Sequence, residues 1–352
     1  MVGENKSTIK ILVVRNDKLG DFMLAYPSFA LLKQALPQSR IYALVPAYTQ
    51  EMAASCRWID DIIVDPGAGA AAREQRQLLS TLRSQNFSAS ITLFSTTRIG
   101  LLLFLARIPR RVAPATKIAQ LFYNLRLAQR RSRSEKPEYQ YNTDLVVFYL
   151  TRSGADIPPM PTPPWLSFDS ERIGQLRTTF CLEYDIAPSS RLVFLHTGSG
   201  GSANTLSAQQ FAELARHLNF TKNDFTPLHF VLTAGPNELA HAQTVSALLG
   251  DLPNTIYHST DGLRVFAEHI AFADIFISGS TGPLHIAGAL DIPTAAFYTR
   301  RRSATPLRWQ TLNSPDKRLA FTPPQDTDEC DMDGIDVAHA AAEINRKFFN
   351  LE

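Results

Sequence analysis

Cysteine is scarce in this chain of 352 residues: Cys56, Cys181 and Cys330 stand far apart and no CxxC occurs. Neither a disulfide framework nor a clustered zinc site is expected, and a reducing cytoplasm fits. Long apolar runs are missing too. The most apolar stretch, Ile99–Ala106, is far shorter than the ~20 residues a helix needs to cross a bilayer. The opening residues MVGENKSTIK lack the apolar core of a secretory leader. Any membrane contact is therefore expected to be peripheral. Charge of one sign is not in excess: 35 Lys and Arg against 33 Asp and Glu leave +2, which gives no global pull toward nucleic acid. No GxGxxG follows the first apolar segment, which argues against a Rossmann dehydrogenase. No internal repeat or low-complexity tract interrupts the chain.

What is present reads as α/β. Ile9–Arg15 is expected as a buried strand, followed by a loop at Asn16–Asp21 and a helix from about Phe22 to Leu36, ended by Pro37. Arg40–Val45, Trp58–Val64 and Ser88–Phe94 read as further strands, with a polar helix over 71–85. Ala155–Trp165 holds five prolines in eleven residues, a stiff extended connector. The expected division is a first domain at 1–155, a linker at 156–170 and a second domain at 171–336, with a last helix at 337–350 crossing back onto the first. In the second half Arg191–His196 and His229–Thr233 read as strands, and Ser207 as the N-cap of a helix to Leu218. Strands alternating with helices imply parallel sheets with right-handed crossovers.

The stretch Asp274–Arg302 reads as strand, tight turn, helix, turn and strand. Gly279–Gly282 permits close approach of a ligand, and Pro283 suits a first helical turn. Backbone N–H groups, Ser280, Thr281, His285 and Arg300–Arg302 are placed to converge at the carboxyl end of parallel strands, where open α/β sheets bind ligands. The ligand this favours is a nucleotide diphosphate, seated at a helix N-terminus; a turn that only packs is the alternative. Three more loops belong with it. Asp21, near a helix start, suits a general base or a helix-capping carboxylate, and Asp17 competes with it or forms an Asx-turn. The loop His196–Asn204, with Thr197 and Ser199, suits a phosphate cradle or a flexible connection. Glu238 suits a ribose-hydroxyl acceptor or a first-turn acid. None of these loops carries a DxD pair and their acids are dispersed, so no metal and no cofactor is expected. Residues 98–136 hold ten basic residues (Arg98, Arg107, Arg110, Arg111, Lys117, Arg126, Arg130, Arg131, Arg133 and Lys136) and one acid, Glu135. They read as a solvated face, or as a surface for an anionic lipid or phosphorylated glycan.

Taken together these loops resemble the glycosyltransferase family 9 heptosyltransferases of lipopolysaccharide core assembly. ILVVRNDKLGDFMLAYPSFALLKQALPQSRI, residues 11–41, resembles that family's opening "LGD…P" pattern. FISGSTGPLHIAGALDIPTAAFY, residues 276–298, resembles its "DTG-x-x-H-x-A-A-A-L" signature, and HTGSG and AGPNE fall between them in order. The resemblance implies a GT-B fold: two Rossmann-like domains with parallel sheets facing across a central cleft. It implies inverting, metal-independent transfer of a sugar from a nucleotide donor, typically ADP-heptose, to a glycolipid on the inner face of the inner membrane.

On that resemblance the catalytic Asp falls on Asp21 and the nucleotide acid on Glu238. The signature's Thr-Gly and His fall on Thr281, Gly282 and His285. Two positions depart from the pattern. Ser280 stands where the family has an Asp expected to hold donor-sugar hydroxyls. Asn204 stands where it often has a Lys for the donor phosphates, and one of Arg300–Arg302 is expected to replace that charge. Thr197, Ser199, Asn204, Glu238, Ser280, Thr281, Gly282, His285 and Arg300 are thus the expected donor contacts. Lys18, Arg98, Arg110 and Arg111 are the expected acceptor contacts. A nucleotide-sugar epimerase and a non-catalytic sugar-nucleotide or glycan-binding protein are the other two readings.

Overall fold

A computed structural model of the chain describes residues 9–116, 118–198, 204–219 and 227–349. They fall into two compact units, Met1–Arg131 with Glu135–Pro161, and Ser132–Ser134 with Thr162–Glu352.

The first unit is built on six parallel strands: β1 (Lys10–Val14), β2 (Arg40–Pro46), β3 (Asp61–Asp65), β4 (Ala89–Thr92), β5 (Arg110–Pro114) and β6 (Leu125–Leu127). Their order is β3-β2-β1-β4-β5-β6. Chain direction across the sheet reverses between β1 and β4, so a crevice opens beyond their carboxyl ends. The central β1 is buried on both faces from Ile11 to Val14, which is why it reads as an unbroken apolar run rather than an alternation.

The second unit repeats the plan with β7 (Arg191–His196), β8 (Leu228–Ala234), β9 (Asn254–His258), β10 (Ile275–Gly279), β11 (Thr294–Phe297) and β12 (Arg318–Phe321). The order is β12-β11-β10-β7-β8-β9, all parallel, so the reversal lies between β7 and β10. Val193, Leu195, Phe211, Phe230, Ile277 and Phe297 anchor its core.

Several expectations are corrected. The single helix from Phe22 to Leu36 is two, Leu19–Met23 and Tyr26–Ala35. Pro27 has no N–H to give the Met23 carbonyl four residues back, so the hydrogen-bond ladder stops there. Asp21 therefore lies inside the first turn of a short helix rather than before a long one. The last helix, expected to cross back onto the first domain, belongs to the second unit as Val337–Ile344. Val337, Ala340, Ala341 and Ile344 are buried in the second unit's core with Phe211 and Leu214. The basic stretch 98–136 conceals β5 and β6, and the helix Glu138–Ser153 follows it.

Candidate active site

At the carboxyl end of β1 the first residue outside the strand is Arg15, only 2% exposed. Its guanidinium is divided among four partners. Nε donates to Asp17 Oδ1 at 2.8 Å, and Nη1 donates to Glu138 Oε1 at 2.9 Å and Asn142 Oδ1 at 3.0 Å. Nη2 donates to Asp21 Oδ1. Glu138, 1% exposed, comes from the helix Glu138–Ser153 and also accepts from Arg131 Nη1 at 2.7 Å. Burial works against the charge on Arg15, but Asp17, Asp21 and Glu138 hold its proton more firmly than in water.

The two loop carboxyls respond in the opposite sense. Burial pushes Asp17 up to about 6 against the pull of Arg15. Burial also raises Asp21 above the ordinary Asp range, with Arg15 pulling it back and Glu138 adding to the rise. A carboxylate held in place by an arginine, with its proton affinity raised by burial, is a stronger base than one in water. Sequence reasoning missed Arg15, Glu138 and Asn142. The available signal was a cation placed directly after an apolar strand.

At the same end of the second sheet, β7 and β10 lie side by side, with His196 opposite Ser278. Thr197, Gly198 and the turn Gly279–Gly282 are thus neighbours. His196 Nδ1 meets Thr233 Oγ1 at 3.0 Å, and burial keeps its pKa low. Glu238 Oε2 accepts from the Gly235 N–H at 2.9 Å and lies 3.9 Å from His196 Nε2. The carboxylate also fits against Gly198: a Cβ there would sit 2.3 Å from Glu238 Cδ and Oε1. Gly279 is under a similar constraint, its Cβ position lying 2.7 Å from Thr205 Oγ1 and 3.2 Å from the Asn204 carbonyl. Asn204 and the signature turn therefore meet.

Thr281 occupies the N-cap position of the helix Gly282–Ala289 without a side-chain capping bond, and its hydroxyl lies 3.2 Å from Ser278 Oγ. His285 is buried one turn in, and burial pushes its pKa down to about 4, so the imidazole is neutral at physiological pH. Three buried polar atoms near these strand ends, Thr197 Oγ1, Thr205 Oγ1 and His285 Nδ1, have no hydrogen-bond partner among the described residues. Buried groups of this kind are ordinarily satisfied, and a ligand is one way to do so.

The remaining expected residues divide. Ser280 is half-buried beside Thr281, and Lys18 is exposed at the start of the Asp21 helix. Ser199 lies outside the described residues. Arg98 is at the carboxyl end of β4 but is already engaged by Asp65 and by Gln75 Oε1 at 3.0 Å. Arg110 and Arg111 are not brought to this end. They open β5, opposite Ala89 and Ser90 at the start of β4, and so stand at the amino edge of the sheet. Arg111 is tied to the carbonyls of Phe122 and Ile108. Arg300 follows β11, but its guanidinium reaches Gln325 Oε1 and the Thr327 carbonyl, bracing the loop after β12. Arg301 and Arg302 are exposed beside it.

The Gly198 contact carries a prediction. The nearest atoms to an added methyl are the mobile end of Glu238, so Gly198→Ala is expected to move that carboxylate rather than unfold the chain. On the expectation that Glu238 meets the nucleotide, nucleotide affinity should fall about tenfold, ~1.4 kcal/mol, with melting nearly unchanged. Calorimetric titration with nucleotide checks this, and unaltered affinity removes Glu238 from the nucleotide seat.

Two doubly wound sheets in one chain are the architecture of the GT-B glycosyltransferases, and comparison with known proteins agrees. The profile of glycosyltransferase family 9 (heptosyltransferase) matches residues 75–326. A Haemophilus influenzae protein provisionally described as a glycosyltransferase is 42% identical over 345 residues, 97% of each chain. Among solved structures, the Escherichia coli ADP-heptose lipopolysaccharide heptosyltransferase II aligns with a TM-score of 0.76 at 18% identity, covering 97% of this chain and 99% of that one. E. coli heptosyltransferase WaaC with ADP gives 0.71 at 16% identity, over 96% and 100%. The fold is GT-B and the protein is a glycosyltransferase. It belongs to glycosyltransferase family 9, the heptosyltransferase family.

Proposed function

We propose that this chain transfers a sugar, heptose in the first instance, from a nucleotide diphosphate donor such as ADP-heptose to a lipopolysaccharide core or related glycolipid, with inversion and without a metal. The observation that carries the reading is the Arg15-held carboxylate of Asp21, at the switch point of its sheet. Asp21 takes the proton from an acceptor hydroxyl as that oxygen attacks the anomeric carbon. The bond from that carbon to the diphosphate breaks, and the nucleotide leaves with its electron pair. Arg15 orients the base. Lys18 and Arg98 are the acceptor contacts that remain at this end.

The donor side rests on the turn Ser280–His285, Thr197, Ser199, Asn204 and Glu238. Free N–H groups at the start of the helix Gly282–Ala289 favour the leaving diphosphate, and neutral His285 can hydrogen-bond to it without adding charge. Ser280 can still donate to a sugar hydroxyl, though it lacks the charge of an Asp. With Arg300 committed to the loop at 325–329, Arg301 and Arg302 are left to supply the cation that Asn204 lacks.

The test uses purified protein, ADP-heptose, other nucleotide sugars and delipidated core oligosaccharide. A matching donor at about 100 Kd should add ~2.7 kcal/mol of stability, raising the melting temperature by roughly 5–10 °C. Donor plus acceptor should give a product heavier by one sugar. Conversion of donor alone would make the chain an epimerase, and binding without turnover in any combination would make it a binding protein.

A further inference from the structure

From Ile99 onward the helix Thr97–Leu105 is apolar on every side. Ile99, Gly100, Leu102 and Leu103 are buried, yet Leu101, Phe104 and Leu105, at i, i+3 and i+4, are 41%, 51% and 38% exposed. A surface helix ordinarily keeps polar residues on that stripe. The 3₁₀ turn Ile118–Phe122 packs against this helix. Gly100 allows the approach, since a Cβ there would lie 3.1 Å from Phe122 Cβ. The turn adds Ile118 and Leu121, 70% and 74% exposed. Five large apolar side chains thus stand in solvent on two elements packed together.

Along the chain, the charge on either side of them is of one sign. From residue 75 to residue 134 the chain has eleven Lys and Arg and not one Asp or Glu, although the whole chain carries only +2. Arg83 Nε donates to the Leu105 carbonyl at 3.1 Å, and the Arg111 guanidinium lies 5.4 Å from the Phe104 ring. Arg107 and Arg110, just beyond the helix, are exposed.

We infer that this face docks on the surface of an anionic bilayer. The five apolar side chains enter the headgroup layer and the arginines meet lipid phosphates, the combination that holds interfacial segments on membranes. Among the described residues no helix is long and apolar enough to cross a membrane. A second copy of the chain fits less well, because a two-fold interface sets the same patch against itself and its cations against each other. A soluble phosphorylated glycan matches the arginines but gives Ile118 and Leu121 nothing apolar to bury against.

The test is co-sedimentation of the full chain with phosphatidylcholine vesicles, with and without phosphatidylglycerol. The parent is expected to pellet only with the anionic vesicles, and less as salt rises. Ile118→Glu with Leu121→Glu, both at exposed positions, should weaken partition at least about tenfold at unchanged melting temperature. A parent that stays in the supernatant with phosphatidylglycerol vesicles overturns the inference, as does a double variant that pellets like the parent. So do two other results: a dimer that the double variant loses in sedimentation velocity, and release of both proteins alike by phosphorylated oligosaccharide.

Discussion

Asp21→Asn is expected to fold as the parent does and to lose turnover by about 10²- to 10⁴-fold, the range for removing a general base. Asparagine keeps the shape of the side chain and an oxygen that can accept from Arg15 Nη2, but it cannot take a proton. Asp17, Glu138 and Asn142 still satisfy the rest of the guanidinium, so the stability change should stay within ~2 kcal/mol. The ionised form is the active one, and burial raises the folded-state pKa of Asp21 above its ordinary value. The rate kcat/KM should therefore fall on acidification through an apparent pKa above the usual Asp range. Asp17 shares the same arginine and is itself raised to about 6, so that acid limb belongs to the pair. Asp17→Asn separates them: it should retain transfer and shift the limb. Transfer that survives Asp21→Asn and vanishes in Asp17→Asn would hand the proton to the other carboxyl.

Some of this site could be read from residue order and some could not. β1 and β10 are short unbroken apolar runs followed by polar or Gly-rich turns, and that punctuation is local. The turn at 279–282 and the Glu238 loop were legible for the same reason, and both lie at carboxyl ends. The placement of the arginines expected as acceptor contacts was not legible. A count of basic residues over 98–136 carries no information on which end of a strand each occupies, and Arg110 and Arg111 turned out to start β5. Glu138 and Asn142 were hidden by chemistry as well as by distance. They lie on the buried stripe of Glu138–Ser153 with Tyr141, Leu145 and Tyr149, where polar letters disguise an inward face. Their partner Arg15 is 123 residues away from Glu138, so only the winding of the sheet brings them together. Arg300 shows the same limit: its contact with Thr327 depends on β12 lying beside β11.

Removing the arginine itself should cost the most stability. Arg15→Met leaves Asp17 and Asp21 packed around an apolar chain with no cation between them, while Glu138 keeps Arg131. Breaking a buried pair from one side typically costs about 3–5 kcal/mol, because the partner's charge stays buried and uncompensated. For a domain of this size that is a fall of roughly 10 °C in melting temperature. The deficit should depend on pH in a definite direction. Without Arg15, Asp17 and Asp21 lose the interaction that lowers their pKa values, so their folded-state values rise further above those of the unfolded chain. The folded variant then binds protons more tightly than the unfolded one, and protonation stabilises it. The gap between parent and variant should narrow from about pH 8 to about pH 5, as read by denaturant unfolding at each pH. Adding Asp17→Asn to Arg15→Met should cost less than the sum of the two single changes, since the second removes a charge that the first had stranded. A deficit that is constant across pH, with single effects that simply add, would mean that Arg15 acts through packing alone and does not hold Asp21 by charge.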